Sequence, residues 1–394
     1  MSSTENPKFS QIITTGFAMF SMFFGAGNVV FPLALGQTAQ DKNFFAILGL
    51  LITAVGVPFL GLFAMTLYDG NYKGFFARMG KKTGFFISLV IMGLIGPFGA
   101  IPRCIALSYS TTHLFFPTLS IEIFSLISCI IIFVFTFKRN NIMDVLGNIL
   151  TPFLIISLGI IIIKGIMHSP QATSLDVAPL NIFLQGLKEG YQTMDLLGAF
   201  FFSSVIIVGI KSHLKKFDPE NPKTIIKMTL KSIAIGASLL ALVYIGFSYV
   251  SSFNSTALAN ALPDQMIGLL AIQILGPYAG IVACAAVALA CLTTAIALAA
   301  VSAEYIYEDL SLKKISYLAG LVITLIISYF VSTLNFTGIV KMLGPVLEVC
   351  YPSLILLTLL NILHKTNGLK IVKGPVYTLF SLSIFIFLCR YFNR

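Results

Sequence analysis

The sequence predicts an all-α integral membrane protein with about eleven transmembrane helices. Three observations carry this reading. First, 57% of the 394 residues are hydrophobic and only 10% are charged, with a mean hydropathy of +0.94. Soluble domains carry about 25% charged residues. Second, apolar stretches recur along nearly the whole chain. Each is long enough to cross a hydrocarbon core of about 30 Å as a helix. Third, the basic residues fall mainly in alternate loops. Together these exclude an ordinary cytosolic enzyme, a disordered chain and a nucleic-acid binder. The formal net charge of +10 is then read as a signal of orientation in the bilayer.

The spans are read at about 10–36, 43–67, 84–112, 119–137, 143–166, 180–210, 226–251, 277–303, 314–334, 337–363 and 374–391. The loops around 164–180 and 251–277 have room for a short surface helix each. With a cytoplasmic N-terminus, the inner loops hold 18 of the 25 Lys and Arg, including Lys8, Lys138, Arg139, Lys215 and Lys216. The outer segments hold Lys42, Lys164, Arg390 and Arg394. This asymmetry predicts a multi-pass protein of the inner (plasma) membrane, N-terminus in and C-terminus out. No cleavable signal peptide is read, because the N-terminus is polar and the first apolar run is too long. The six cysteines lie in apolar runs without CxxC spacing and are expected as small buried residues. No metal-binding or enzymatic cluster is read around His113, His168, His213 and His364. No cofactor is expected.

The first span contains Phe24-Gly25-Ala26-Gly27-Asn28 near its centre. Glycine is about 1 kcal/mol poorer than alanine inside a helix. Loosened backbone at membrane depth is tolerated where it is buried or lines a cavity. Close helix packing through small residues is the other reading. The sixth span contains Gly190-Tyr191-Gln192-Thr193-Met194-Asp195, with a carboxylate midway. Two interrupted helices half a protein apart are the pattern of an inverted-repeat transporter. Residues 1–394 are therefore read as one transporter domain. One five-helix repeat covers about 10–166, the other about 180–363, and an extra helix lies at about 374–391. The Gly-Pro steps at Gly96-Pro97 and Gly276-Pro277 echo one another weakly.

An ionisable residue deep in the membrane marks function by default. Asp195 is the deepest candidate. It could hold a cation, a substrate amine or a proton, or cap the broken helix. Arg103 and Glu348 lie in the outer halves of spans 3 and 10 and are a candidate gate pair. Ala290, Thr293 and Thr294 share one face of span 8. Their oxygens, with carbonyls of the loosened first span, suit a hard cation such as sodium. Free N–H groups after the first break suit a carboxylate. Phe200, Phe201, Phe202, Phe98 and Ile101 are candidate apolar walls. Carboxylate, ammonium and apolar side chain together describe a hydrophobic amino acid.

These motifs resemble the branched-chain amino acid:cation symporter family. The set comprises Phe24–Asn28 followed by Phe31-Pro32, Gly96-Pro97 with Ala100–Arg103, Gly190–Asp195, and Cys291–Ala295. The resemblance covers roughly the first 360 residues. It implies the amino acid–polyamine–cation superfamily and a leucine-transporter-type five-plus-five inverted repeat with helices 1 and 6 broken. It also implies import of leucine, isoleucine and valine with sodium or protons, methionine remaining open. A substrate site at Gly25, Ala26, Gly27, Asn28, Tyr191, Thr193, Asp195 and Phe200 is expected. Sodium is expected at Phe24, Ala290, Thr293 and Thr294, as a co-transported ion. Typical members have twelve spans, whereas this sequence reads as eleven. Some proton-driven relatives carry a helix 5 lysine in place of this sodium; here only Asp144 and Lys164 fall in that span, at its ends. The expected partners are the small-molecule substrate and membrane lipid, with oligomeric state open. The competing readings are a proton-coupled transporter of another small amino acid or amine, a channel or sensor, and an integral-membrane enzyme. The last lacks any reactive cluster in the sequence.

Overall fold

The computed structural model describes residues 9–137, 151–167, 173–214 and 221–392. Lys8, Lys138, Arg139, Asp144, His168, Lys215, Lys216 and Arg394 lie outside the described residues. All regular structure among the described residues is helical. Six helical stretches are long and apolar enough to cross a membrane, and shorter apolar helices lie between them. Many outward-facing residues are large and apolar, such as Val134, Phe135, Ile163 and Phe330. Lipid is the solvent that such a surface suits.

The first span is two helices, α1 (Phe9–Phe23) and α2 (Ala26–Ala39). Gly25 is extended, with φ −114° and ψ −164°, and stops the helix. Span 2 is α3 (Asn43–Leu51), which runs through a π-helical turn at Ile52–Gly56 into α4 (Val57–Leu67). A short helix α5 (Tyr72–Phe76) then leads to α6 (Lys81–Ile95) and α7 (Ala100–His113). The third span is thus also interrupted, at 96–99. The sequence reading gives this span as 84–112, with the Gly96-Pro97 step inside it and no break assigned. The Gly96-Pro97 step supplies the break, because Pro97 has no N–H to continue the helical ladder. Next come α8 (Ile121–Thr136) and α9 (Thr151–Met167).

The sixth span is α10 (Pro179–Gln192) and α11 (Asp195–His213). Met194 between them adopts φ +60°, a left-handed conformation that is uncommon for a side chain of this size. After α12 (Pro222–Phe253), α13 (Met266–Tyr305) bends sharply at Gly276, φ +79°. A residue with a Cβ is strained in that region, so the Gly276-Pro277 step ends a short first segment and starts span 8. The chain closes with α14 (Tyr317–Ser332), α15 (Asn335–Asn367) and α16 (Lys373–Phe392). Four cysteines are buried as expected, but Cys350 is half-buried and Cys389 on α16 is exposed. These helices agree with the eleven spans read from the sequence to within a few residues, span 5 being described only from residue 151.

Helix–helix contacts rest on small residues. A Cβ on Gly186 of α10 would strike the Ala46 carbonyl of α3, and one on Gly49 of α3 would strike the Phe183 carbonyl of α10. Backbone cannot give way as a side-chain tip can. Gly186→Val should therefore destabilise the protein by about 1–3 kcal/mol. The readout is a lower apparent melting temperature of the detergent-purified protein. An unchanged melting temperature would contradict this packing.

Candidate functional site

Both broken helices open onto one buried cavity. The space free within it for water-sized centres is about 40 Å³, room for a few water molecules. Its wall includes Gly25, Ala26, Gly27, Asn28, Thr193 and Asp195, together with Arg103 and Thr294.

Asn28 ties the two breaks together. Its Oδ1 accepts the Gly25 N–H at 2.9 Å, which satisfies a backbone donor freed where α1 stops. Its Nδ2 donates to Asp195 Oδ2 at 2.7 Å, 167 residues away in the chain. Tyr244 of α12 donates its hydroxyl to the same Oδ2 at 3.1 Å and also accepts from Asn28 Nδ2. Asp195 is only 4% exposed. A buried carboxylate is tolerated when it is hydrogen-bonded, and here its donors are neutral. A carboxylate has about four lone-pair sites. Two donors on Oδ2 therefore leave capacity for a ligand cation or ammonium. Asp195 is the first residue of α11 and Met194 the cap position, so Asp195 is not the side-chain cap of that helix.

The four residues expected around sodium also converge. Thr294 Oγ1 donates to the Phe24 carbonyl at 3.0 Å and to Ala290 O at 3.2 Å. Thr293 Oγ1 donates to Ala290 O at 2.8 Å. Two hydroxyls and two carbonyls from α13 and the α1 break thus stand within one hydrogen-bonding cluster. A Cβ on Gly25 would lie 3.2 Å from Thr294 Cγ2, which shows how closely the break approaches α13. Hydroxyl and carbonyl oxygens are the donor set that a hard monovalent cation takes.

Other expectations do not meet at the cavity. Tyr191 is not among the lining residues and stacks on Tyr351 at 4.9 Å between ring centres. Phe200 packs against Phe75 and Phe76, each at 5.2 Å. Phe201 packs on Tyr72, Phe98 is exposed, and Ile101 is buried outside the cavity wall. Of the expected aromatic walls, Phe202 does line the cavity, joined by Phe23 at 5.8 Å. On a helix, neighbouring residues point about 100° apart, so only one of three consecutive phenylalanines can face a given cavity.

Arg103 and Glu348 are not paired. Arg103 donates Nη1 to the Gln192 carbonyl at 2.7 Å and Nη2 to Gln192 Oε1 at 3.4 Å. Glu348 instead accepts from Arg390 at 2.8 Å and lies 3.3 Å from Lys188. The physical reason is proximity: Glu348 faces an exposed pocket with two nearer cations, whereas Arg103 turns inward to the end of α10. At the other end of the bundle, Asp309 accepts from Tyr72 and pairs with Lys73, joining the α5 segment to the end of span 8.

The sequence reading missed Tyr244, Gln192, Phe23, Cys104 and Leu298. For Tyr244 a signal existed. A phenol inside the apolar run Leu239–Ile245 needs a partner for its hydroxyl. The others carry no mark that separates them from ordinary core residues.

The sequence matches the family model described as branched-chain amino acid transport protein over residues 8–390. A relative from Staphylococcus epidermidis, named a branched-chain amino acid carrier protein, is 31% identical over 366 residues, covering 89% of this chain and 81% of that protein. One of the same name from Staphylococcus aureus is 30% identical over 393 residues, covering 94% and 86%. Among solved structures, Mhp1, a nucleobase-cation-symport-1 family transporter in a closed conformation with bromovinylhydantoin bound, superimposes with a TM-score of 0.61 at 14% identity. It covers 95% of this chain and 85% of its own. MhsT in complex with L-phenylalanine gives a TM-score of 0.61 at 14% identity, covering 97% and 99%. At that identity the likeness shows the fold, which is the leucine-transporter type expected from the sequence.

Proposed function

The chain belongs to the branched-chain amino acid transport protein family, and from that premise we propose that it is a sodium-coupled symporter importing leucine, isoleucine and valine. It is a multi-pass membrane transporter of a small-molecule substrate and not an enzyme. The finer reading rests above all on one observation. Asn28 and Thr294 link both broken helices and span 8 around a single cavity. Substrate and ion sites that share a wall are what coupling needs: each ligand favours the occluded arrangement that the other also favours.

In this reading the α-carboxylate meets the N–H groups at the start of α2, where the helix dipole is positive. The α-ammonium meets Asp195. The branched side chain lies against Met22, Phe23, Phe202 and Leu298. Sodium takes the carbonyls of Phe24 and Ala290 and the hydroxyls of Thr293 and Thr294. Alternating access then moves the broken helices around the site. The basic loops, Lys73, Arg78, Lys211 and Lys313 among them, favour a cytoplasmic N-terminus in the inner membrane.

A second reading couples transport to protons through Asp195. It is favoured by the neutral character of Asn28 and Tyr244, which donate to Asp195 Oδ2. Radiolabelled leucine uptake into proteoliposomes separates the two. An imposed sodium gradient at equal pH should drive concentrative uptake, competed by isoleucine and valine, with methionine tested beside them. Uptake that follows only a pH gradient would move the coupling to Asp195. No uptake under either gradient would overturn the substrate assignment.

A further inference from the structure

The cavity wall contains a buried cation for which the proposed site has no use. Arg103 is 1% exposed, and no ion pair involves it among the described residues. Its hydrogen-bond partners are the neutral carbonyl and side-chain oxygens of Gln192, and its Nε is buried without a partner. The Phe31 ring lies 5.7 Å from the guanidinium carbon and adds only a cation–π contact. A buried guanidinium held by neutral acceptors is under-compensated, and the group it fits best is a planar carboxylate.

The surroundings say where that carboxylate would come from. Arg103 lines the same cavity as Gly25, the cap of the 14-residue helix α2, and Ala26 and Gly27 of its first turn. A Cβ on Gly27 would stand 3.4 Å from the very Gln192 carbonyl that Arg103 holds, and 3.1 Å from Thr193 Cα. The guanidinium and the positive helix start therefore adjoin the same turn of backbone. Asp195 also lines the cavity yet is not bonded to Arg103, so each charge is left for a ligand. A zwitterion complements both.

Resting on the amino-acid reading above, we propose that Arg103 is a specificity-determining residue whose guanidinium binds the substrate α-carboxylate and so selects amino acids over amines. The N–H groups of α2 share the same carboxylate. The tie to Gln192 holds the arginine beside the break of the sixth span until the substrate arrives. Lysine cannot replace it fully, because an ammonium lacks the planar fork.

The test compares leucine with leucinol, which keeps the ammonium and the branched chain but replaces the carboxylate by an alcohol. Each displaces radiolabelled leucine from the purified full-length protein in sodium buffer. Binding of leucinol to the variants is also followed by thermal stabilisation, which reports whether each variant is folded. The wild type should favour leucine by about 100-fold, the scale of a buried, hydrogen-bonded charge pair. In Arg103→Gln the preference should collapse to within about fivefold, through loss of leucine affinity with leucinol nearly unchanged. Arg103→Lys should fall between the two, and it serves as the test should the glutamine variant not fold. A residue that only braced the end of α10 would lose both ligands in parallel. Parallel loss, or a wild-type preference retained in any folded variant, overturns the proposal. A wild type that binds neither compound overturns the amino-acid reading itself, and the role of Arg103 with it.

Discussion

Asp195→Ala should abolish gradient-driven uptake, with a loss of at least about 100-fold, while the protein still inserts and folds. The magnitude follows from removing one partner of a buried, hydrogen-bonded charge interaction, which costs about 2–5 kcal/mol. The same truncation strands two donors, Asn28 Nδ2 and the Tyr244 hydroxyl, in a buried site. Each stranded donor costs about 1–3 kcal/mol, so the alanine variant should also melt earlier. Asp195→Asn separates the two effects. Its amide oxygen can still accept from Asn28 and Tyr244, but it carries no charge. It should melt close to the wild type and still fail to transport. Measurement of leucine uptake and melting temperature on the same preparations checks both statements. Wild-type uptake by Asp195→Asn would remove the carboxylate from the binding of any ammonium, cation or proton.

The second large effect is expected at the Thr293–Thr294 cluster proposed for sodium. Thr293 and Thr294 now donate into the carbonyls of Ala290 and Phe24. A hydroxyl can turn and offer its lone pairs to a cation, so the same geometry serves an empty and an occupied site. Thr294→Val keeps the volume but deletes the oxygen nearest the α1 break. The sodium concentration for half-maximal leucine uptake should rise about tenfold, equivalent to about 1.4 kcal/mol, with the maximal rate largely regained at high sodium. The double variant Thr293→Val/Thr294→Val should lose sodium stimulation altogether. Sodium titrations of uptake in proteoliposomes read both. An unchanged half-maximal concentration in the double variant would place the ion elsewhere.

Both predictions rest on residues singled out in the sequence, and the reason is that membranes make such residues conspicuous. A carboxylate in Thr193-Met194-Asp195 and two glycines in Phe24–Asn28 interrupt apolar runs where nothing polar is needed for solubility. The cost of polar groups in hydrocarbon removes them wherever they have no purpose. Residues that look like their neighbours escape this logic. Phe200 and Phe202 are indistinguishable in the string, yet one packs on Phe75 and Phe76 and the other lines the cavity. Gln192 is an ordinary polar residue near a helix end until Arg103 of another span is seen to hold it.

What the sequence by itself determined is the helical membrane class, the span boundaries to within a few residues, the breaks in spans 1 and 6, and the oxygen-bearing residues that share one face of span 8. These follow from local physics: apolar length against bilayer thickness, glycine and proline against helix continuity, and oxygen donors at helical spacing. Only the tertiary structure decided which charges meet. Arg103 went to Gln192, Glu348 to Arg390 and Lys188, and Asp195 to Asn28 and Tyr244. It also decided that span 3 is interrupted and that Met194 takes a left-handed turn. Pairing between helices depends on their rotation and depth in the bundle. Those are set by the packing of small-residue surfaces from distant parts of the chain, and no single span encodes them.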